Sequence, residues 1–183
     1  MSALHPVHRW DDILPVYRTT PVADLLAYHN LRIPHRSHVR AELLIGMCMD
    51  NRIMLRIPDN FAYVLRAGGA NLQRIEFKVS YAVAVGGIRT MCLIAHDQCG
   101  MVDLQARRDV FVSGLVQNGG WEKGEAERHF DQFSAVFEVG DPVEFVLSEA
   151  RRLRERYPSV TVAPLFYAVG DGLLHQISES EVS

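Results

Sequence analysis

Short, unbroken apolar runs punctuate this chain, and the stretches between them carry a helical period. Residues 41–47 and 89–95 are apolar almost throughout and end in polar clusters. Runs of that length, too short for buried helices, predict strands covered on both faces. Residues 61–66, closed by Gly68-Gly69, predict another strand. Residues 160–169 and 173–177 predict two more, joined by Gly170-Asp171-Gly172 as an antiparallel hairpin. Helical signals fall between the strands. Thr20 can cap a helix reaching about Asn30, with Pro21 in its first turn and Asp24 suited to its dipole. Asn71 can cap a helix over 72–85, with Ile75, Val79, Ala82 and Val83 on its apolar face and Gly86-Gly87 as its stop. Two more are expected near 103–116 and 124–137. Asp141-Pro142-Val143-Glu144 opens a last one that stops at Tyr157-Pro158. Residues 1–19 show little periodicity and read as an arm, and 31–40 as a basic connector.

The β-α-β order predicts an α/β fold: a mostly parallel central sheet flanked by helices, with an antiparallel C-terminal hairpin strand and an N-terminal arm. With 183 residues, 48% of them hydrophobic, the chain can bury one substantial core. The expected division is an arm and short helix over 1–40, then a single α/β domain over 41–183. A net charge of −3 and a pI near 6.2 provide no basic field for nucleic acid. No apolar run approaches the roughly 18 residues of a membrane span, and the N-terminus has no apolar signal core. Three cysteines, an odd number, argue against a disulfide framework. A cytoplasmic protein is the expectation.

Chemistry concentrates where two of the strands end. Cys48-Met49-Asp50-Asn51-Arg52 follows the first, and His96-Asp97-Gln98-Cys99 follows the third. Two thiols and an imidazole suit a soft to borderline divalent metal. Three protein ligands fit a catalytic zinc site, which keeps its fourth position for water, better than a closed structural one. His-x-x-Cys is a usual short ligand pair, whereas Cys48 lies too far upstream for a finger or knuckle. It must arrive on another element. If both strands are parallel, both clusters sit at the carboxyl edge, where open α/β sheets bind ligands. Arg52 can clamp Asp50 in a bidentate pair. Mid-strand Cys92 reads as core. His35 and His38, with Arg32, Arg36 and Arg40, read as a solvated connector rather than a metal or anion patch. The basic run over 151–156 reads as an exposed helix end, and Asp97 and Gln98 as either turn residues or partners of the site.

Together the clusters resemble β-class carbonic anhydrases, which carry Cys-x-Asp-x-Arg and, downstream, His-x-x-Cys followed by glycine; here that glycine is Gly100. Ser80-Tyr81-Ala82-Val83-Ala84-Val85-Gly86-Gly87-Ile88 resembles the family's approach to the second ligand strand. The resemblance implies Zn2+ on Cys48, His96 and Cys99, with reversible hydration of carbon dioxide to bicarbonate as the activity. Zinc can lower the pKa of a bound water from about 15.7 toward 7. Two thiolates blunt that effect, so Asp50, held by Arg52, would help position the nucleophile, with the Gly100 N–H near the substrate. In the family the aspartate can instead swing onto zinc. The chain departs from the usual Arg-Asn-Ala-Gly: it reads Arg66-Ala67-Gly68-Gly69-Ala70-Asn71. Two rivals share the motifs: a hydrolase of carbonyl sulfide or carbon disulfide, and a silent zinc-binding relative whose altered loop closes the pocket. The resemblance also implies a homodimer or homotetramer, with the arm wrapping a partner, and Phe61, Tyr63 and residues 75–85 as interface candidates.

Overall fold

In the computed structural model, which describes residues 3–178, the apolar runs become the middle of one six-stranded sheet. Its strands are β1 (Ala3–Pro6), β2 (Leu43–Met47), β3 (Ala62–Arg66), β4 (Thr90–His96), β5 (Thr161–Ala168) and β6 (Leu173–Ser178). They lie side by side in the order β1-β6-β5-β4-β2-β3. β2 pairs in parallel with β3 and β4, and β4 in parallel with β5. β6 returns antiparallel beside β5. The expected sheet and C-terminal hairpin are both present.

Among the described residues five α-helices accompany it: α1 (Pro21–His29), α2 (Glu76–Ala84), α3 (Arg108–Gly119), α4 (Lys123–Phe137) and α5 (Pro142–Arg156). The expected caps form. Thr20 Oγ1 accepts from the Val22 N–H, and Asp141 Oδ1 accepts from both Val143 and Glu144. The start of α2 differs from expectation. Asn71 Oδ1 accepts from the Gln73 N–H, but a 3-10 turn over Gln73–Ile75 comes first.

β2 and β4 are buried along their whole length, as the lack of polar alternation required. Leu43, Ile45, Met47, Cys92 and Ile94 pack on one face with α1 and the N-terminal segment. Leu44, Met91, Leu93 and Ala95 pack on the other with α2 and α5. α3 and α4 form a hairpin with a small core of their own, Val112, Ala126 and Phe130.

The N-terminal segment is more tightly held than its weak periodicity suggested. β1 pairs antiparallel with β6. Buried Gln176 accepts from the Leu14 N–H and donates to Asp12 O, while Asn30 bonds the backbones of Val7 and Leu174. The connector is not wholly solvated either. His38 is buried, with Nδ1 on Glu42 and Nε2 on the Tyr28 hydroxyl, and Arg36 bridges Asp24 and Glu42. The basic end of α5 likewise has work within the fold: Arg152 pairs with buried Glu149 and with Glu76 on α2. Phe61 is fully buried, which removes it from the interface candidates. No helix among the described residues is long and apolar enough to cross a membrane.

His29 makes stability depend on pH. Its Nε2 donates to Gly172 O at 2.9 Å and its Nδ1 accepts from the Arg56 N–H at 3.0 Å, a pattern only the neutral ring can satisfy. Burial, with Arg32 and Arg56 nearby, holds its pKa below 6.5. Below that value the unfolded chain takes up a proton that the native ring resists, so this contribution is intact above about pH 6.5 and lost as pH falls toward the depressed native value. Melting curves from pH 7.5 to 5 should therefore fall less steeply in His29→Gln than in the parent.

Candidate metal centre

Met47 is in register with Ile94, so Cys48 and His96 leave adjacent parallel strands at one carboxyl edge. The chain leaves β2 toward β3 on one side and β4 toward β5 on the other, which makes this the switch point of the sheet. A tight turn after His96 brings Cys99 back. The sulfurs of Cys48 and Cys99 stand 4.0 Å apart. With a ring nitrogen of His96 they form a buried group whose ligand atoms lie within 4.8 Å of one another, the one such cluster among the described residues.

His96 is poised as a ligand. Its Nδ1 lies 2.7 Å from Asp97 O, and because a carbonyl can only accept, Nδ1 carries the proton. That leaves Nε2 with a lone pair, and this buried atom has no hydrogen-bond partner. An orphaned imidazole nitrogen facing two thiols, with its other nitrogen fixed by a backbone carbonyl, is the arrangement a bound metal completes. The thiols already behave as a donor pair. The Cys99 S–H and His96 favour a thiolate at Cys48 against the cost of burial, and the Gly69 N–H points at the same sulfur from 3.4 Å. Cys99 is correspondingly pushed up, because its S–H donates to the Cys48 sulfur and burial opposes a second negative charge. At His96 burial opposes a charge, but the neighbouring Cys48 sulfur favours one and raises the ring's pKa, so the Nε2 lone pair has a heightened affinity for a proton or for a metal cation in its place. The donor set fits a thiophilic divalent cation, which would replace the shared protons. Cys92 is fully buried in the core and its thiol is pushed up, as expected of a packing residue.

Asp50 and Arg52 meet beside this cluster as a fork. Arg52 Nε lies 3.0 Å from Asp50 Oδ1 and Nη2 lies 2.7 Å from Oδ2, while the Arg52 N–H also donates to Oδ1. These contacts hold the carboxylate well below its usual range. Arg52 reaches the second cluster as well, through Gln98 Oε1 and Gln98 O. Asp97 Oδ1 accepts from the Val169 N–H and ties the turn to the end of β5.

Arg66 is the site residue to which sequence reasoning assigned no role. Its guanidinium donates to the carbonyls of Cys48, Asp50 and Ile53 and so clamps the whole loop after β2. Its position at the end of the neighbouring strand was the available signal. The altered loop that follows places two glycines beside the cluster. Gly69 adopts a φ of +60°, and a Cβ there would stand 2.2 Å from Val139, so only glycine fits while its N–H points at Cys48. Gly68, Met49, Gly100 and Met101 floor a cavity of about 640 Å3 whose walls come from the α3–α4 hairpin, including Phe111, Phe130, Phe133 and Phe137.

No family model matches this sequence, and no curated protein matches it in sequence. Solved structures do match in shape. A carbonic anhydrase from Glaciozyma antarctica superposes with a TM-score of 0.60 at 22% identity, over 88% of this chain and 98% of that one. A β-carbonic anhydrase from Trichomonas vaginalis gives 0.60 at 17% identity, over 79% and 87% of the two chains. The apo form of a carbon disulfide hydrolase gives 0.54 at 15% identity, over 88% of each. The chain has the fold of the β-carbonic anhydrases.

Proposed function

We propose that this protein is a zinc enzyme that interconverts carbon dioxide and bicarbonate, with Cys48, His96 and Cys99 as the metal ligands. The observation that carries the reading is the unpartnered Nε2 of His96, facing two buried thiols beside a carboxylate that an arginine holds aside. Zinc held there would supply Lewis acidity, bringing the pKa of water toward 7.

The remaining roles fall to the chain. Each carboxylate oxygen of Asp50 has two lone pairs. Oδ1 accepts from two N–H groups of Arg52, and Oδ2 takes a short bond from Nη2 with only the longer, 3.3 Å arm of the bifurcated Nε–H beside it, which leaves a lone pair for a hydroxyl donor. Asp50 would orient the attacking oxygen by accepting its proton in a hydrogen bond, and Arg52 would keep Asp50 from moving onto the metal donors. Gly100 lines the cavity and a Cβ there would meet nothing within 4 Å, so its side-chain face is open. The apolar cavity suits an uncharged substrate. Met49 and Gly100, the chain neighbours of Cys48 and Cys99, are part of its lining, which brings the cavity up to the metal donors.

The aromatic and methionine lining also favours a second reading, hydrolysis of carbon disulfide or carbonyl sulfide, and one protein of similar fold is a carbon disulfide hydrolase. Stopped-flow hydration of carbon dioxide by zinc-loaded protein, run beside assays for hydrogen sulfide release from both sulfur substrates, separates the two. Turnover of carbon dioxide well above the buffer rate supports the first reading. Sulfide release without it moves the protein to the second.

The assembly we propose is a homodimer or homotetramer. β3 lies at one edge of the sheet with Tyr63 and Val64 exposed, and α2 presents Phe77 at 82% exposure, with Val85 just after its end at 67%. An open edge beside exposed apolar side chains is a surface that invites pairing. Light scattering at micromolar concentration should give a two- or four-chain mass, and Phe77→Glu should shift it toward one chain. A monomeric parent would contradict the assembly. The need for two free thiols at the site favours a reducing, cytoplasmic setting.

A further inference from the structure

Gln98 stands in the turn between His96 and Cys99 with a φ of +54°, left-handed backbone that glutamine adopts only under strain. Glycine would hold the same turn freely. What glutamine adds is a side-chain oxygen. Gln98 Oε1 accepts from Arg52 Nη1 at 3.1 Å, and its backbone oxygen accepts from Nη2 at 3.0 Å. The other side of the same guanidinium is committed to Asp50. That pair needs the help. Arg52 is 42% exposed at its side chain against 15% for Asp50, and a half-exposed guanidinium on a loop gains a fixed orientation from a second anchor. Backbone strain at a site directs attention to what the side chain does there, and here it holds Arg52.

We propose that Gln98 is a positioning residue: it anchors Arg52 from the second cluster, so that Arg52 keeps Asp50 turned away from the metal donors. This assignment rests on the proposed role of Asp50 as acceptor beside the metal. It ties together the two clusters, 46 residues apart at this contact. The grip consists of two hydrogen bonds to one planar cation, so it fixes orientation as well as distance.

The test compares Gln98→Gly and Gln98→Glu with the parent. In metal-free protein, guanidinium 1H–15N spectra should show Arg52 ordered in the parent and in Gln98→Glu, whose carboxylate can still accept, and averaged in Gln98→Gly. Gln98→Gly should melt at or above the parent, because the turn is relieved. With zinc loaded, its kcat should fall by about tenfold, in the range expected for partners of metal-site groups, while Gln98→Glu stays near the parent. An Arg52 signal unchanged by Gln98→Gly overturns the proposal, whatever the turnover. So does a melting point well below the parent's, which would make Gln98 a residue of the turn alone. Loss of Arg52 ordering in a protein whose parent never hydrates carbon dioxide supports the positioning and counts against the hydration reading only.

Discussion

Asp50→Asn is expected to leave the fold and zinc content unchanged and to cut carbon dioxide hydration by about a hundredfold or more. The substitution preserves shape and replaces one acceptor with a donor. In the native loop Oδ1 accepts two N–H groups from Arg52, so an asparagine would turn its carbonyl oxygen to that side and its amide N–H2 to the position of Oδ2. An N–H2 there cannot accept from an attacking hydroxyl. The variant also gives up the charge that pairs with Arg52. Neither change touches Cys48, His96 or Cys99, so the metal should stay. Stopped-flow assays beside elemental analysis check both halves, and turnover equal to the parent's would refute the role of Asp50.

Cys99→Ala is expected to weaken zinc binding on the order of a thousandfold, since one thiolate supplies a large share of the binding free energy of such a site. Cys99 does more than complete a count of three. Its sulfur stands 4.0 Å from Cys48, and the hydrogen bond between them lowers the pKa of Cys48. Alanine removes both the ligand and this pairing. The fold should survive, because the strands that deliver the site are packed along their length by Leu43, Ile45, Ile94 and their neighbours. Competition with a chelator of known affinity measures the loss, and circular dichroism checks the fold. A variant that keeps one zinc per chain against the same chelator would remove Cys99 from the ligand set.

The parts legible in the sequence were those written as local patterns. Residues 41–47 and 89–95 announced buried parallel strands because they lack polar alternation, and the ligand clusters were visible because each sits at the end of such a run. Asp141 and Thr20 announced their helices through capping chemistry contained within three residues. What stayed hidden depends on partners distant in the chain. β1 is four residues long and ends in proline, too short for a period to register, and its place is set by β6 at the other end of the chain. His38 read as solvated because its surroundings are basic and polar, yet Tyr28 and Glu42 bury it. Arg66 looked like the end of a strand, and the three carbonyls it holds lie 13 to 18 residues upstream. Gln98 was open between two readings, and it fills both: a turn residue by its backbone and a partner of Arg52 by its side chain.

The most direct test of the account is a zinc titration of metal-stripped protein followed by carbon dioxide hydration. Activity should rise linearly with added zinc, break at one equivalent per chain, and stay near the uncatalysed rate in a Cys99→Ala sample taken through the same titration. Hydration that does not depend on zinc, or one zinc bound per chain with no hydration at any pH between 6 and 9, would contradict it.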